Sequence, residues 1–292
     1  MNRISSLVSI AALSAMTTLS GCDSYGGKRL YDYRVMKVPH QQGTALDLVT
    51  ANGSIKAYKE TRQDVAIEVE LYGENAERLD FATVHTNRMG DGSLRVWVEW
   101  PGGKRQDNEG AKLEIYTPDA NGITAKTSNG AVHISGLQGE ARVETTNGSI
   151  HIEDHQGPMG MYTSNGAIRV EQSDGDVNFR TSNGRIIISD ATSLVEGDTS
   201  NGSVYVSTHK DASGPVRIRT TNGRVELDLG HGFEGVLRVS TSNGRIKTEN
   251  LSNANLVQSS NSALELQIGS SEEISAVRTS NGSVRVRGRS DD

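Results

Sequence analysis

One tetrapeptide recurs along this chain at nearly constant spacing. Thr-Ser-Asn-Gly or a close variant stands at nine places, and the asparagines of these copies are Asn129, Asn147, Asn165, Asn183, Asn201, Asn222, Asn243, Asn261 and Asn281. A nearly fixed period of about 20 residues is typical of repeat architectures, in which each unit buries its apolar face only by stacking on its neighbours.

Apolar and polar residues alternate on both sides of each repeated asparagine. Around Asn183, Phe179 lies four residues before the asparagine, and Ile186 and Ile188 lie three and five residues after it. A threonine stands two residues before the asparagine in most copies. Because side chains alternate between the two faces of a strand, this pattern predicts two short strands per repeat, each with one buried face.

Two architectures fit a single repeat. An Asn-Gly pair between alternating runs favours a β-hairpin, whereas a parallel β-solenoid would lay each repeat on the next copy of itself. The recurrence of the same residue in the same column favours the solenoid, because identical side chains then stack about 4.8 Å apart. We therefore predict an all-β parallel β-solenoid (β-helix) with coils of about 18–21 residues. The nine asparagines would form a structural ladder, in turns that need residues tolerating positive φ.

The chain divides into four predicted regions. Residues 1–21 read as a signal peptide, because a positive start and a short apolar run lead to small residues at a cleavage site. Residues 22–28 form a polar tether, residues 29–120 an irregular N-terminal β cap with early coils, and residues 121–292 the regular repeat. An earlier copy of the repeat, TANGSI, occupies residues 50–55. The last copy carries Arg285, Arg287, Arg289, Asp291 and Asp292, charges expected to protect the open end of the solenoid.

Cys22 is the only cysteine of the chain and ends the sequence Leu-Ser-Gly-Cys. This sequence resembles the lipobox of bacterial lipoproteins, which implies cleavage before Cys22 and attachment of lipid such as palmitate. Several acyl chains would hold the mature protein stably on a membrane. The resemblance implies the periplasmic face of the bacterial cell envelope. In enteric bacteria Asp23 would favour the inner membrane, and elsewhere the outer membrane stays open.

The Asn-Gly repeats behind this lipobox resemble the bacterial putative-adhesin family, β-strand repeat lipoproteins of unknown function. The resemblance covers residues 46–288 and is strongest from residue 121 onward. It implies a solenoid fold and an envelope location, and it brings no catalytic residues with it.

Little in the sequence points to chemistry. The net charge of −6 argues against a nucleic-acid partner, and no catalytic residues and no cofactor are predicted. His133 and His151 share a column with His155 and Asp154 nearby, but no third ligand is fixed, so no metal site is predicted. Basic residues recur two and four residues after the asparagines, and they are interpreted as a solvated face or as a mildly basic strip for an anionic glycan or lipid headgroup.

Three functions remain open from the sequence. The first is a non-enzymatic, lipid-anchored envelope protein that presents a surface for adhesion, or for binding an envelope protein or glycan. The alternatives are a polysaccharide-acting β-helix enzyme and a purely structural envelope component. Clustered carboxylates on one outer face would favour the enzyme, and a long exposed apolar patch would favour protein binding.

Overall fold

The structure is a computed structural model that describes residues 29–251 and 254–289. Cys22, the predicted signal peptide and the tether lie outside the described residues. The elements are β1 (Leu30–Pro39), β2 (Leu46–Val49), β3 (Ile55–Lys59), β4 (Asp64–Gly73), α1 (Ala76–Phe81), β5 (Thr83–Arg88), β6 (Leu94–Glu99), β7 (Gly110–Thr117), β8 (Asn121–Lys126), β9 (Val132–Ser135), β10 (Gln138–Glu144), β11 (Ile150–Gln156), β12 (Met159–Thr163), β13 (Ile168–Asp174), β14 (Val177–Asn183), β15 (Ile186–Ala191), β16 (Val195–Asn201), β17 (Val204–Thr208), β18 (Val216–Asn222), β19 (Val225–Leu229), β20 (Gly235–Thr241), β21 (Ile246–Glu249), β22 (Ala254–Ser259), β23 (Ala263–Ile268), β24 (Ile274–Thr279) and β25 (Val284–Gly288), with a 3₁₀ turn at Pro101–Gly103.

The 25 strands of the described residues join into one open, mostly parallel sheet. The strands pair in two series, each a row of neighbouring strands, and a bridge between Gln138 and Gln156 connects the two rows. The first series has the order β1-β4-β7-β3-β9-β11-β13-β15-β17-β19-β25-β21. The second series has the order β5-β6-β2-β8-β10-β12-β14-β16-β18-β24-β20-β23-β22.

Equivalent residues of successive repeats lie side by side. Ile150 pairs with Ile168, and Ile168 pairs with Ile186, each one repeat further along the chain. The pairing is parallel, so the two strands that flank one Asn-Gly do not pair with each other as a hairpin would require. The hairpin interpretation is therefore wrong for these repeats.

The inward side chains of both series form one continuous apolar core. Ile168 and Val170 of one series and Val177 and Phe179 of the other are at most 3% exposed. A repeat contributes only a few such side chains, each stabilising by about 1.5–3 kcal/mol when fully buried. Stability therefore depends on contact between neighbouring repeats, as in other linear repeat proteins.

In every copy that has it, the glycine lies directly against the backbone of a neighbouring repeat. A Cβ atom at Gly184 would lie 1.9 Å from the carbonyl oxygen of Gly166, and one at Gly166 would lie 1.8 Å from that of Gly148. The sequence interpretation of a positive-φ turn is wrong, since among the described residues neither the nine asparagines nor the eight glycines that follow them have a positive φ. Glycine is required here because a side chain would prevent stacking.

In most copies the threonine two residues before the asparagine satisfies the carbonyl group at this contact, although among the described residues the Thr199 hydroxyl has no such bond. The buried Thr163 hydroxyl donates a hydrogen bond to the carbonyl oxygen of Gly148 at 3.0 Å, and Thr145 does the same to Gly130 at 3.0 Å. A buried carbonyl group without a partner costs about 1–3 kcal/mol. Threonine thus supplies both a buried methyl group and the hydrogen bond that the glycine contact needs.

The asparagine side chains bond to one another along the surface. Each Nδ2 donates to the Oδ1 of the neighbouring repeat at 2.6 to 2.9 Å; the donor–acceptor pairs are Asn129–Asn52, Asn147–Asn129, Asn165–Asn147, Asn183–Asn165, Asn201–Asn183, Asn222–Asn201, Asn281–Asn222 and Asn243–Asn281. These asparagines are exposed except for the half-buried Asn52, so each bond competes with water and its net contribution is modest.

The last repeats do not follow chain order. Val225 pairs with Val284 of the final repeat, and Val284 pairs with Ile246, so the final repeat lies between two earlier ones. The predicted place of Asn261 in the ladder is wrong: β22 and β23 pair antiparallel around it as a hairpin. Ser262 stands where the other copies have glycine, and its Cβ atom could not approach a neighbouring carbonyl group as the glycines do.

The final repeat is therefore not the protected end that its charges suggested. β25 has β19 on one side and β21 on the other, and Arg287 Nε lies 2.8 Å from Asp228 Oδ1 of β19. Arg287 thus forms an ion pair between the inserted repeat and its neighbour, and the edge strands at this end are β21 and β22. Asp291 and Asp292 lie outside the described residues.

The N-terminal region begins both series. β2 pairs with β8, β3 pairs with β9, and Asn52 forms a bridge with Asn129, so the copy at residues 50–55 stacks like the later ones. Beyond them β1, β4 and β7 pair antiparallel in the first series, and β5 pairs antiparallel with β6 in the second.

The glycine contact makes a prediction about stability. We expect Gly184→Ala to lower the free energy of unfolding by about 3 kcal/mol or more, because overpacking against a rigid backbone is not relieved by rotamer changes. Asn183→Ala should cost only about 1 kcal/mol, since it removes exposed hydrogen bonds. Urea unfolding of both variants measures the difference.

Gly90→Ala is the matched control, because a Cβ atom at this exposed glycine meets nothing within 4 Å. It should leave the unfolding midpoint unchanged. Equal losses for Gly184→Ala and Asn183→Ala would contradict the assigned role of the glycine.

Candidate functional site

A pair of arginines lies side by side on the outer face of the second series. Arg219 of β18 and Arg278 of β24 are register partners on adjacent parallel strands, which lie about 4.8 Å apart. Both side chains are exposed. They become neighbours only because the final repeat is inserted beside β18.

These arginines line a groove of about 510 Å³. Two further arginines, Arg180 and Arg217, also line it, together with the carboxylates of Glu196 and Asp198. Ala276 lies beside Arg217 in the neighbouring outward column, and its short side chain leaves space between the longer ones. The groove therefore carries excess positive charge on a chain whose net charge is −6.

The two carboxylates of the groove already have cationic partners. Asp198 Oδ2 accepts from Arg180 Nε at 2.8 Å, and Glu196 Oε2 lies 3.6 Å from Arg217 Nη1. Within residues 29–251 and 254–289, neither Arg219 nor Arg278 has an ion pair or side-chain hydrogen bond. Like charges in paired positions are destabilising, so an anion that contacts both guanidinium groups would remove an unfavourable interaction.

Tyr162 forms one wall of the groove. The residue is 40% exposed, and the guanidinium of Arg142 lies 5.9 Å from the centroid of its ring. The fold places Tyr162 two strands from β16 and its acidic residues. A flat aromatic face beside cationic groups suits a ligand with both an apolar ring face and an acidic group.

The basic strip expected on the first series is largely neutralised in the structure. Arg169 bonds to Glu171 on the same strand, and this guanidinium lowers the pKa of the Glu171 carboxyl group. Arg224 likewise lies 3.4 Å from Glu226. Glu226 lies within the columns two and four residues after the asparagines, whereas Glu171 stands six residues after Asn165 and so lies outside them.

The histidines of the first series separate into two groups. His133 and His151 are paired on adjacent strands, with ring centroids 4.6 Å apart. His155 instead points inward, is 1% exposed, and contacts the carbonyl oxygen of Gly139 through Nε2 at 2.8 Å. Burial lowers the pKa of His155. The carboxylate close to the paired histidines is Glu153, which the sequence analysis had not singled out.

No protein-family model and no curated protein matches the chain. The chain is similar to a solved structure of a putative adhesin from Bacteroides fragilis NCTC 9343, with 15% identity and a TM-score of 0.49 over 89% of this chain and 97% of that chain. It is also similar to a putative lipid binding protein from Parabacteroides distasonis ATCC 8503, with 11% identity and a TM-score of 0.38 over 89% and 97%. Putative adhesins are thus among the structural neighbours of the chain.

In the part of the chain that the structure describes, no helix has the length and apolar character needed to cross a membrane.

Proposed function

We propose that this protein is a non-enzymatic binding protein of the bacterial cell envelope whose arginine groove binds an acidic glycan. The observation that carries the proposal is the pair Arg219 and Arg278, which are adjacent and form no ion pair with a carboxylate among the described residues, although Asp198 is the register partner of Arg219 on β16. Guanidinium groups match the geometry of carboxylate and sulfate through two parallel hydrogen bonds. Sugar rings with acidic substituents would place their apolar face on Tyr162 and their charge on the arginines.

The proposed architecture is a β-solenoid with coils of about 18–21 residues, in which the region of residues 29–120 caps one end. Such an open repeat presents a long surface of side chains held at regular spacing, and the groove lies on that surface rather than in a closed cavity. This arrangement suits recognition of an extended polymer better than recognition of a small molecule, because small-molecule sites are usually clefts or cavities that enclose the ligand.

A polysaccharide-acting enzyme is the second candidate for this surface. The carboxylates nearest the groove, Glu196 and Asp198, are paired with arginines. A carboxylate paired with a guanidinium group stays ionised and is a poor proton donor. This pairing favours binding over hydrolysis at the groove.

The arginine pair predicts specific binding to acidic polysaccharides. We expect the purified protein to bind heparin and polygalacturonate, used as sulfated and carboxylated probes, and not neutral dextran. The double variant Arg219→Ala/Arg278→Ala should bind at least about tenfold more weakly, because one hydrogen bond to a charged group contributes about 1.5–3 kcal/mol. Binding of the unaltered protein should also fall as salt screens the charges.

Arg224→Ala, combined with Lys210→Ala, is the control for this measurement because it removes the same number of charges away from the groove. This control should retain its affinity for heparin. Equal weakening of the control and the groove variant would point to non-specific charge attraction and would overturn the proposal.

We further propose that lipid at Cys22 anchors the protein to a membrane of the envelope, at its periplasmic face. The support is the lipobox resemblance and the absence of any other cysteine from the sequence. The tether of residues 22–28 would set the solenoid a short distance from the membrane surface.

Cys22→Ser tests this anchoring. We expect the variant to leave the membrane fraction, since no thiol remains to carry the lipid, whereas Ser24→Ala should fractionate as the unaltered protein does. Retention of the Cys22→Ser variant in washed membranes would show that something other than the lipid holds the protein there.

A further inference from the structure

We propose a second, separate site on the outer face of the first series, in which His133, His151 and Glu153 bind a Zn²⁺ ion. One ligand atom from each of the three residues lies within 4.8 Å of the others. The site does not depend on the arginine groove, which lies on the second series.

The fold fixes the spacing of the two histidines. His133 of β9 and His151 of β11 are register partners in a parallel pair, and their rings are stacked at an interplanar angle of 12°. The backbone hydrogen bonds of the neighbouring Ile150 and Ile152 columns hold this register. Two imidazoles are thus brought together by the repeat itself, without a loop that would need to order on binding.

Glu153 completes the set of ligands. It follows His151 by two residues on the same strand, so both side chains are on the same face. Its Oε1 lies 3.2 Å from His133 Nε2, and its Oε2 lies 3.9 Å from His151 Nε2. Ligand atoms around a tetrahedral zinc ion with bonds of about 2.0–2.1 Å are about 3.3 Å apart. The two imidazole rings would therefore rotate out of their stacked arrangement to direct both Nε2 lone pairs at one ion.

A neighbouring residue orients the first histidine. The hydroxyl of Tyr58 lies 3.4 Å from Nδ1 of His133, on the opposite side of the ring from Glu153. When Nδ1 carries the proton and donates to this hydroxyl, the Nε2 lone pair faces the proposed ion. Partners of this kind fix the tautomer and ring orientation of metal-bound histidines.

The second nearby carboxylate has a different partner. Glu171 lies 3.4 Å from His151 Nε2 but also bonds to Arg169. Among the described residues, in contrast, Glu153 forms ion pairs only with His133 and His151. Glu153 is therefore the available anionic ligand, and a water molecule would take the fourth position.

The donor set selects the metal. Two imidazole nitrogens and one carboxylate oxygen suit Zn²⁺ and other late first-row ions, whereas Mg²⁺ and Ca²⁺ prefer sets made only of oxygen atoms. The three side chains are about one-third exposed, so an ion reaches them directly from solvent.

Titration of the purified protein with zinc chloride tests the site by calorimetry and by thermal unfolding. The protein should carry Cys22→Ser so that the thiol cannot bind zinc. We expect one zinc ion per chain and a rise in the melting temperature, with no response to magnesium chloride. His133→Gln, His151→Gln and Glu153→Gln should each weaken zinc binding at least tenfold, the loss that even an outer partner of a metal ligand can cause.

The control is His85→Gln. His85 also has a glutamate partner, Glu99 at 2.8 Å, and stacks on an aromatic ring, but among the described residues no second histidine joins it. This variant should bind zinc as the parent does. Melting temperatures without zinc should agree between the parent and all four variants, since the altered side chains are partly exposed.

Three outcomes would overturn the zinc site. These are the absence of stoichiometric zinc binding, unchanged affinity in any of the three ligand variants, and equal weakening in His85→Gln. If a ligand variant has a lowered melting temperature without zinc, the isosteric Glu153→Gln variant decides, because it keeps the shape of the side chain and removes only its charge.

Discussion

The structure depends on one close contact, in which the glycine of a repeat lies against the carbonyl group of the glycine in the repeat stacked beside it. At Gly184 and Gly202 a methyl group would come within 1.9 Å of that oxygen. The contact brings successive repeats near enough for the buried threonine to reach the same carbonyl group and for the asparagines to bond in a row. Asn261, followed by serine, lies where this sequence of contacts stops.

Much of the repeat could be predicted from the sequence, because its period and its columns are local properties. Ile150, Ile168 and Ile186 occupy one column in the sequence and pair in the structure. The reason for the recurring column of glycines was not predicted. A positive-φ turn and a close contact with a neighbouring backbone both require glycine, so the sequence does not distinguish between them. The absence of Asn261 from the ladder could have been predicted from Ser262, because this is the one copy in which glycine does not follow the asparagine.

The candidate sites were harder to predict, because they depend on which repeats become neighbours. Arg219 and Arg278 belong to repeats that are far apart in the sequence and become adjacent only through the inserted repeat. A sequence that is read as a regular stack places Arg219 beside Ser240 instead, and the arginine pair does not appear. The histidine pair, in contrast, was visible from its column, and only Glu153 was missed because its side chain reaches diagonally to the preceding strand.

The insertion of the final repeat has a consequence for biosynthesis. Strands β20 and β21 precede β24 and β25 in the chain, yet each has one of these later strands as its parallel neighbour. While the protein emerges in order from the ribosome or through a translocation pore, β18 and β19 can pair with β16 and β17, but each lacks its second native neighbour until the C-terminal residues arrive. The fold is completed by closing a gap in its interior rather than by adding a last layer at its end, so assembly cannot proceed strictly from one terminus to the other.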